Sequence, residues 1–198
     1  MNAMTTRDHI VAAADVLFYR QGYEHTSFAD IAGAVRISRG NFYYHFKTKD
    51  DILEAVIDTR LADTRRILDQ WEAESENPED RIHSFIHILI ANRADIKRFG
   101  CPVGTLTTEL AKLNHESRAG ATELFSLFRA WLGVQFRALG LDEEADRLAM
   151  HILARSQGVA TLASAFGDET FIRSEVDQMC DWLASVIDSA GSGKQKRN

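Results

Sequence analysis

The chain has 198 residues, 45 % apolar and 26 % charged, ordinary proportions for a folded globular protein of one or two small domains. A net charge of −6 argues against a protein that coats nucleic acid, and two distant cysteines, Cys101 and Cys180, cannot make a disulfide framework. No apolar run approaches the ~20 residues of a membrane span, and "MNAMTTRDHI" lacks the order of a secretory signal, so no membrane partner and a cytoplasmic location are expected.

Charge is unevenly spread. Residues 1–50 hold six Lys/Arg and five Asp/Glu, net +1, whereas the remainder holds 17 against 24, net −7. The first fifty residues are therefore the end suited to an anionic partner.

Helix signals dominate, with Pro78 and Pro102 as the two prolines and no clean alternation that reads as a strand. A first helix is expected over about 6–21, with Ile10, Ala14, Leu17 and Phe18 as its apolar stripe and Gly22 as a left-handed stop. A second starts at Ser27, where "SFAD" spells a capping box. A third begins at the N-cap Ser38 and stops near Phe46. A fourth opens on the box "TKDD" at Thr48 and runs to about Trp71. Further helices are expected at about 78–95, after the Asn-Pro cap at 77–78, then at 103–113, 117–139, 142–166 and 169–189. "GSGKQKRN", residues 191–198, reads as a disordered tail.

This pattern predicts an all-α chain: a three-helix helix-turn-helix head at 1–48, joined by the fourth helix to a C-terminal helical bundle within 49–190. The third helix, "SRGNFYYHF", decides what the head does. Helical spacing puts Phe42 and Phe46 together toward the other two helices. The opposite side carries Gly40 and Tyr44, flanked by Arg39, Asn41 and Tyr43, with His45 nearer the core. That face has donors, acceptors and phenols, no aliphatic residue, and a gap in side-chain bulk at Gly40. It suits insertion into a DNA major groove, with Thr26, Ser27 and Lys49 at neighbouring helix starts as phosphate candidates.

The stretch "TSFADIAGAVRISRGNFYYHFKTKDDIL" resembles the signature of the tetracycline-repressor (TetR) family, a likeness covering about residues 7–56. The resemblance implies a homodimeric, helix-turn-helix transcription regulator, usually a repressor. Its partners would be a double-stranded, pseudo-palindromic operator and an unknown small-molecule inducer acting in the C-terminal domain. The alternative is a TetR-like DNA-binding protein with an architectural or protein-partner role and no inducer. Carried over by position, Ser38, Arg39, Asn41, Tyr43, Tyr44, His45 and Lys49 fall where the family commonly touches DNA. Two departures stand out. Arg36 occupies the turn where the family usually has Gly, so a positive φ there costs about 1 kcal/mol, offset if the side chain reaches a phosphate. Asn41 replaces a small Thr or Ala, and is a better partner for adenine edges.

The C-terminal half is less explicit. Phe85, Leu89, Phe99, Cys101, Leu106, Phe125, Phe128 and Trp131 are candidates for an apolar ligand pocket, though aromatics at helical spacing are more often core. Ile172, Val176, Met179 and Leu183 form a four-three seam on the last helix, and Gly158 and Leu162 lie on the helix before it. They are candidates for a dimer interface, with intramolecular packing as the competing reading. Cys101, beside the start of the 103–113 helix, is either a thiol activated by the helix dipole or a packed small residue. His83 and His87 share a zinc-capable i, i+4 spacing without an apparent third ligand, so no metal and no cofactor is expected. No phosphate loop, nucleophile elbow or H-E-x-x-H motif is present, so the chain does not read as an enzyme.

Overall fold

The computed structural model describes residues 4–195, without the side chains of Arg39 and of residues 191–195. Ten α-helices and one short 3-10 turn form among the described residues, and no strand does. They are α1 (Thr6–Gln21), α2 (Phe28–Val35), α3 (Arg39–His45), α4 (Lys49–Glu74), α5 (Pro78–Ala91), α6 (Arg93–Phe99), α7 (Pro102–Lys112), α8 (Arg118–Ala138), α9 (Ala145–Phe166) and α10 (Glu169–Gln195). The 3-10 turn, Asp142–Glu144, precedes α9.

The helix starts follow local chemistry. Three reciprocal capping boxes form, Thr5 with Asp8, Ser27 with Asp30 and Thr48 with Asp51, each joining a side-chain oxygen to an orphan amide in both directions. Asn77 caps α5, with Pro78 in its first turn. The helix expected over 78–95 breaks in two at Asn92. Its Nδ2 donates to the Ile88 carbonyl at 2.9 Å and its backbone stands at φ −103°, ψ 10°, so α6 restarts at Arg93. The backbone of α10 continues to Gln195, past the 191 start of the expected tail; residues 196–198 lie outside the described residues.

Two compact units emerge. Among the described residues the first takes 4–64 and 102–124, the second 65–101 and 125–195, so α4 contributes to both. The contact units thus differ from the boundary drawn at 48. In the first, Ile10, Ala14, Phe18, Ile31, Phe42, Phe46, Ile52 and Val56 are buried, joined by Leu106 and Leu110 of α7. The second is built round Phe85, Ile86, Leu132, Phe136, Leu148, Ile152, Ile172 and Met179. No helix among the described residues is long and apolar enough to cross a membrane.

Candidate nucleic-acid interface

α3 is positioned by what it buries. Phe42 and Phe46 are 1 % and 3 % exposed, and Phe42 meets Phe28 edge to face at 5.2 Å between centroids. Because successive residues step about 100° round a helix, burying this pair turns Gly40, Asn41 and Tyr44 to solvent. Tyr44 is 78 % exposed, and beyond its chain neighbours and its own helix backbone nothing described lies within 4 Å of where a Gly40 Cβ would stand. Tyr43 is 46 % exposed, with its ring stacked on Phe28 at 5.6 Å, so one face is fixed while the phenol remains accessible. His45 is half-buried with its ring against Tyr44 at 5.2 Å. The side chain of Arg39 lies outside the described residues.

The flanking turns hold α3 in place. Ser38 caps it, accepting from the Asn41 amide at 3.3 Å. Ser27 caps α2 at an exposed position, its hydroxyl donating to Asp30 Oδ2 at 2.7 Å and accepting from the Asp30 amide at 3.2 Å. Arg36 stands at φ 57°, ψ 40°, so the turn where the family usually has glycine does take the left-handed conformation. Its side chain is exposed.

Two phosphate candidates have other duties. Thr26 is 1 % exposed; its Oγ1 donates to the Gly22 carbonyl at 2.7 Å and accepts from Gln21 Nε2 at 3.2 Å. It staples the α1–α2 turn from inside and is not available to a phosphate. Lys49 Nζ donates to the carbonyls of Tyr23 at 2.9 Å and Glu24 at 3.3 Å, and sits 4.2 Å from the Tyr23 ring centroid. Two of its three donors already hold the head together.

Against known proteins, residues 10–56 match the model for "Bacterial regulatory proteins, tetR family", and residues 78–178 match the LmrA/YxaF-like transcriptional regulator C-terminal domain. The chain belongs to the TetR family of transcriptional regulators. An HTH-type transcriptional regulator in the lacX 3′ region of Lactococcus lactis subsp. lactis is 30 % identical, covering 89 % of this chain and 92 % of that one. The HTH-type transcriptional repressor DhaR of Mycobacterium sp. strain GP1 is 26 % identical, over 77 % and 79 % of the two chains. The crystal structure of a TetR regulator from Legionella pneumophila superposes with TM-score 0.78 at 30 % identity, covering 90 % of this chain and 99 % of that one. This TetR-family chain is therefore a DNA-binding transcription regulator with an N-terminal helix-turn-helix and a C-terminal helical domain.

In its first unit, α7 is tied to the head by polar contacts that no motif announces. Glu109 accepts from the Tyr23 and Glu24 amides, both at 2.9 Å, at the turn leading into α2. Tyr23 donates its hydroxyl to Asp50, and burial together with that carboxylate raises the phenol's pKa. His115 has Nε2 at 3.3 Å from the Tyr23 oxygen and 3.5 Å from Asp50 Oδ1. Its Nδ1 accepts from the Ser117 amide at 3.1 Å, which leaves the proton on Nε2. Arg60 of α4 joins Asp15 of α1 at 2.6 Å to the Pro102 carbonyl at 2.7 Å. Only the last of these pairings involves residues of α1 and α4 at once, and nothing in local spacing signals any of them.

The pocket candidates divide between the units. Phe85, Leu89, Phe128 and Trp131 are buried core residues of the second unit, with Phe125 and Cys101 packed against them. Phe85 and Phe128 lie 5.4 Å apart, and Trp131 donates its indole N–H to Glu72 at 2.8 Å. Phe99 is half-buried, and Leu106 lies in the first unit, 3 % exposed. Sequence reasoning missed Gln135, fully buried beside this cluster, whose Oε1 accepts from Arg81 at 3.3 Å. The open groove of about 290 Å³ between α9 and α10, lined by Leu141, Leu148, Val186 and Ala190, contains none of the candidates.

The dimer candidates need correction. Ile172, Val176, Met179 and Leu183 are 0–2 % exposed within the single chain, because α10 turns its four-three seam onto α5 and α9. The intramolecular reading holds for all four. Gly158 and Leu162 are exposed, on a row of α9 that continues through Met150, Ala154 and Phe166.

Proposed function

We propose that this regulator is a cytoplasmic homodimeric repressor that sits on a pseudo-palindromic operator and leaves it when a ligand or modification acts on the C-terminal domain. The observation that carries the reading is the division of α3, with Phe42 and Phe46 inside and Gly40, Asn41 and Tyr44 outside. Asn41 and Tyr44 would read base edges or phosphates from the major groove. Ser27, Ser38, Tyr43 and the Arg36 guanidinium would hold the backbone, and Gly40 would let the helix approach closely. A functional boundary between head and effector domain near residue 48 belongs to the same proposal.

The second copy would pack on the exposed α9 row. Met150, Leu162 and Phe166 are 41 %, 45 % and 79 % exposed at i+4 multiples, and the open Gly158 permits close helix approach. A two-fold pair would present two α3 helices to half-sites about 34–36 Å apart or a multiple of it. The effector would enter the aromatic cluster of Phe85, Phe128 and Trp131, with Gln135 and Arg81 as polar contacts. Since these side chains pack together in the core, an effector that parts them must favour the parted state over the packed one, and only that difference in affinity shifts the operator equilibrium. α4, shared by both units, is the continuous element through which the shift would reach the head.

The test is selection from random duplexes with purified full-length protein, followed by salt titration. An enriched inverted repeat is expected, with affinity falling at a log–log slope of about −0.9 per neutralised phosphate. Failure to enrich any motif would remove the reading.

A further inference from the structure

We propose that His83 and His87 of α5 and Cys180 of α10 form a binding site for a zinc-class divalent ion that joins the two helices. One ligand atom from each of the three lies within 4.8 Å of the other two. The i, i+4 spacing of the histidines explains one edge of this triangle. The other two edges exist only because α10 packs on α5 and brings a thiol from almost a hundred residues away in sequence.

The donor set selects the ion. Two imidazoles and a thiolate are borderline-to-soft ligands, which suit zinc, cobalt or copper and not the oxygen-seeking magnesium or calcium. Zinc bonds of ~2.0–2.3 Å in a tetrahedron separate ligand atoms by roughly 3.3–3.8 Å, so closing the triangle needs side-chain rotations of about 1 Å. Three protein ligands leave a fourth position for water. His83 and Cys180 are half-buried and His87 is exposed, so an ion has a path from solvent.

The surroundings are arranged as those of metal ligands usually are. His87 Nδ1 lies 2.8 Å from the His83 carbonyl and donates to it, which leaves the Nε2 lone pair free to coordinate. Glu79 Oε1 stands 3.8 Å from His83 Nε2, beyond hydrogen-bond distance, and adds negative charge beside the site. Asp177 and Asp181 lie near the thiol, and their negative charges attract a dication, which displaces the thiol proton on binding. The site involves neither the α3 face nor the aromatic cluster, so it stands or falls apart from the operator and effector readings.

Cobalt(II) titration of tag-free, chelator-treated, full-length protein tests it. One cobalt per chain is expected, with visible bands of tetrahedral intensity and a near-ultraviolet thiolate-to-cobalt charge-transfer band, and zinc should displace it. Cys180→Ser should abolish the charge-transfer band, whereas Cys101→Ser should keep it. His83→Ala and His87→Ala should each weaken binding by at least about 10- to 100-fold, the loss seen when even the supporting shell of a metal ligand is removed. Because His87 is exposed, its variant retains the fold and decides the matter if Cys180→Ser does not fold. Absence of saturable one-to-one binding, a charge-transfer band that survives Cys180→Ser, or binding unchanged in His87→Ala overturns the assignment.

Discussion

Replacing Glu109 by alanine should loosen the DNA-binding head although the residue lies far from it in sequence. The carboxylate accepts two backbone amides, Tyr23 N and Glu24 N, each at 2.9 Å. A hydrogen bond to a charged group contributes about 1.5–3 kcal/mol when its loss strands the donor. The Tyr23 amide is part-buried and would be stranded, whereas the exposed Glu24 amide would turn to water. The expected cost is therefore about 2–3 kcal/mol, not the ~3–6 of two fully buried bonds. Glu109→Gln keeps one acceptor and should lose about half of that. Gly22 supplies an internal check: at φ 90°, a Cβ there would stand 3.0 Å from Glu109 Oε1. Gly22→Ala should thus be destabilising alone and less so in the Glu109→Ala background, where only the backbone strain remains. Urea unfolding followed by circular dichroism gives the free energies of these four variants, and operator affinity shows whether the turn into α2 must be held for binding. A loss below about 0.5 kcal/mol, the level of an ordinary surface carboxylate, would refute the argument.

Tyr44→Ala and Asn41→Ala should weaken operator binding at unchanged melting temperature, whereas Phe42→Ala should destabilise the head by about 3–5 kcal/mol; equal destabilisation by Tyr44→Ala would mean the facing of α3 is wrong. Arg36→Gly should stabilise the protein by about 1 kcal/mol, since glycine adopts the left-handed turn without strain, while lowering the salt slope of DNA binding by about one if the guanidinium meets a phosphate. Acid should attack the helix caps. Backbone and side-chain bonds from Thr5, Ser27 and Thr48 hold Asp8, Asp30 and Asp51 below their ordinary carboxylate pKa. Their stabilisation is present above the unfolded value of about 3.9 and is lost as pH falls through the lower folded values, so a pH–melting curve should decline below about pH 4, less steeply in Asp30→Asn. Phe166→Asp and Leu162→Asp should yield monomers in sedimentation and lose operator binding, with helicity intact.

Much of this protein was legible before any coordinates. Capping boxes, the Asn-Pro start of α5 and the pairing of Phe42 with Phe46 are local signals, set by amides and side chains within a turn of one another. They placed most helix starts and faced α3 as expected, missing the break at Asn92, while the possibility of a left-handed turn at Arg36 came from the family resemblance. What the sequence could not decide was which helix each apolar face would meet. Ile172, Val176, Met179 and Leu183 have the same spacing whether they meet their own chain or a second copy, and only packing made them core. Polar partners at long separation were equally hidden. Thr26 was turned inward, Lys49 was committed to the Tyr23 and Glu24 carbonyls, and Glu109 and His115 were brought to the head from α7 and the segment after it. Cys180 beside His83 and His87 is the same case: periodicity along one helix says which residues share a face, and only tertiary contact says what that face meets.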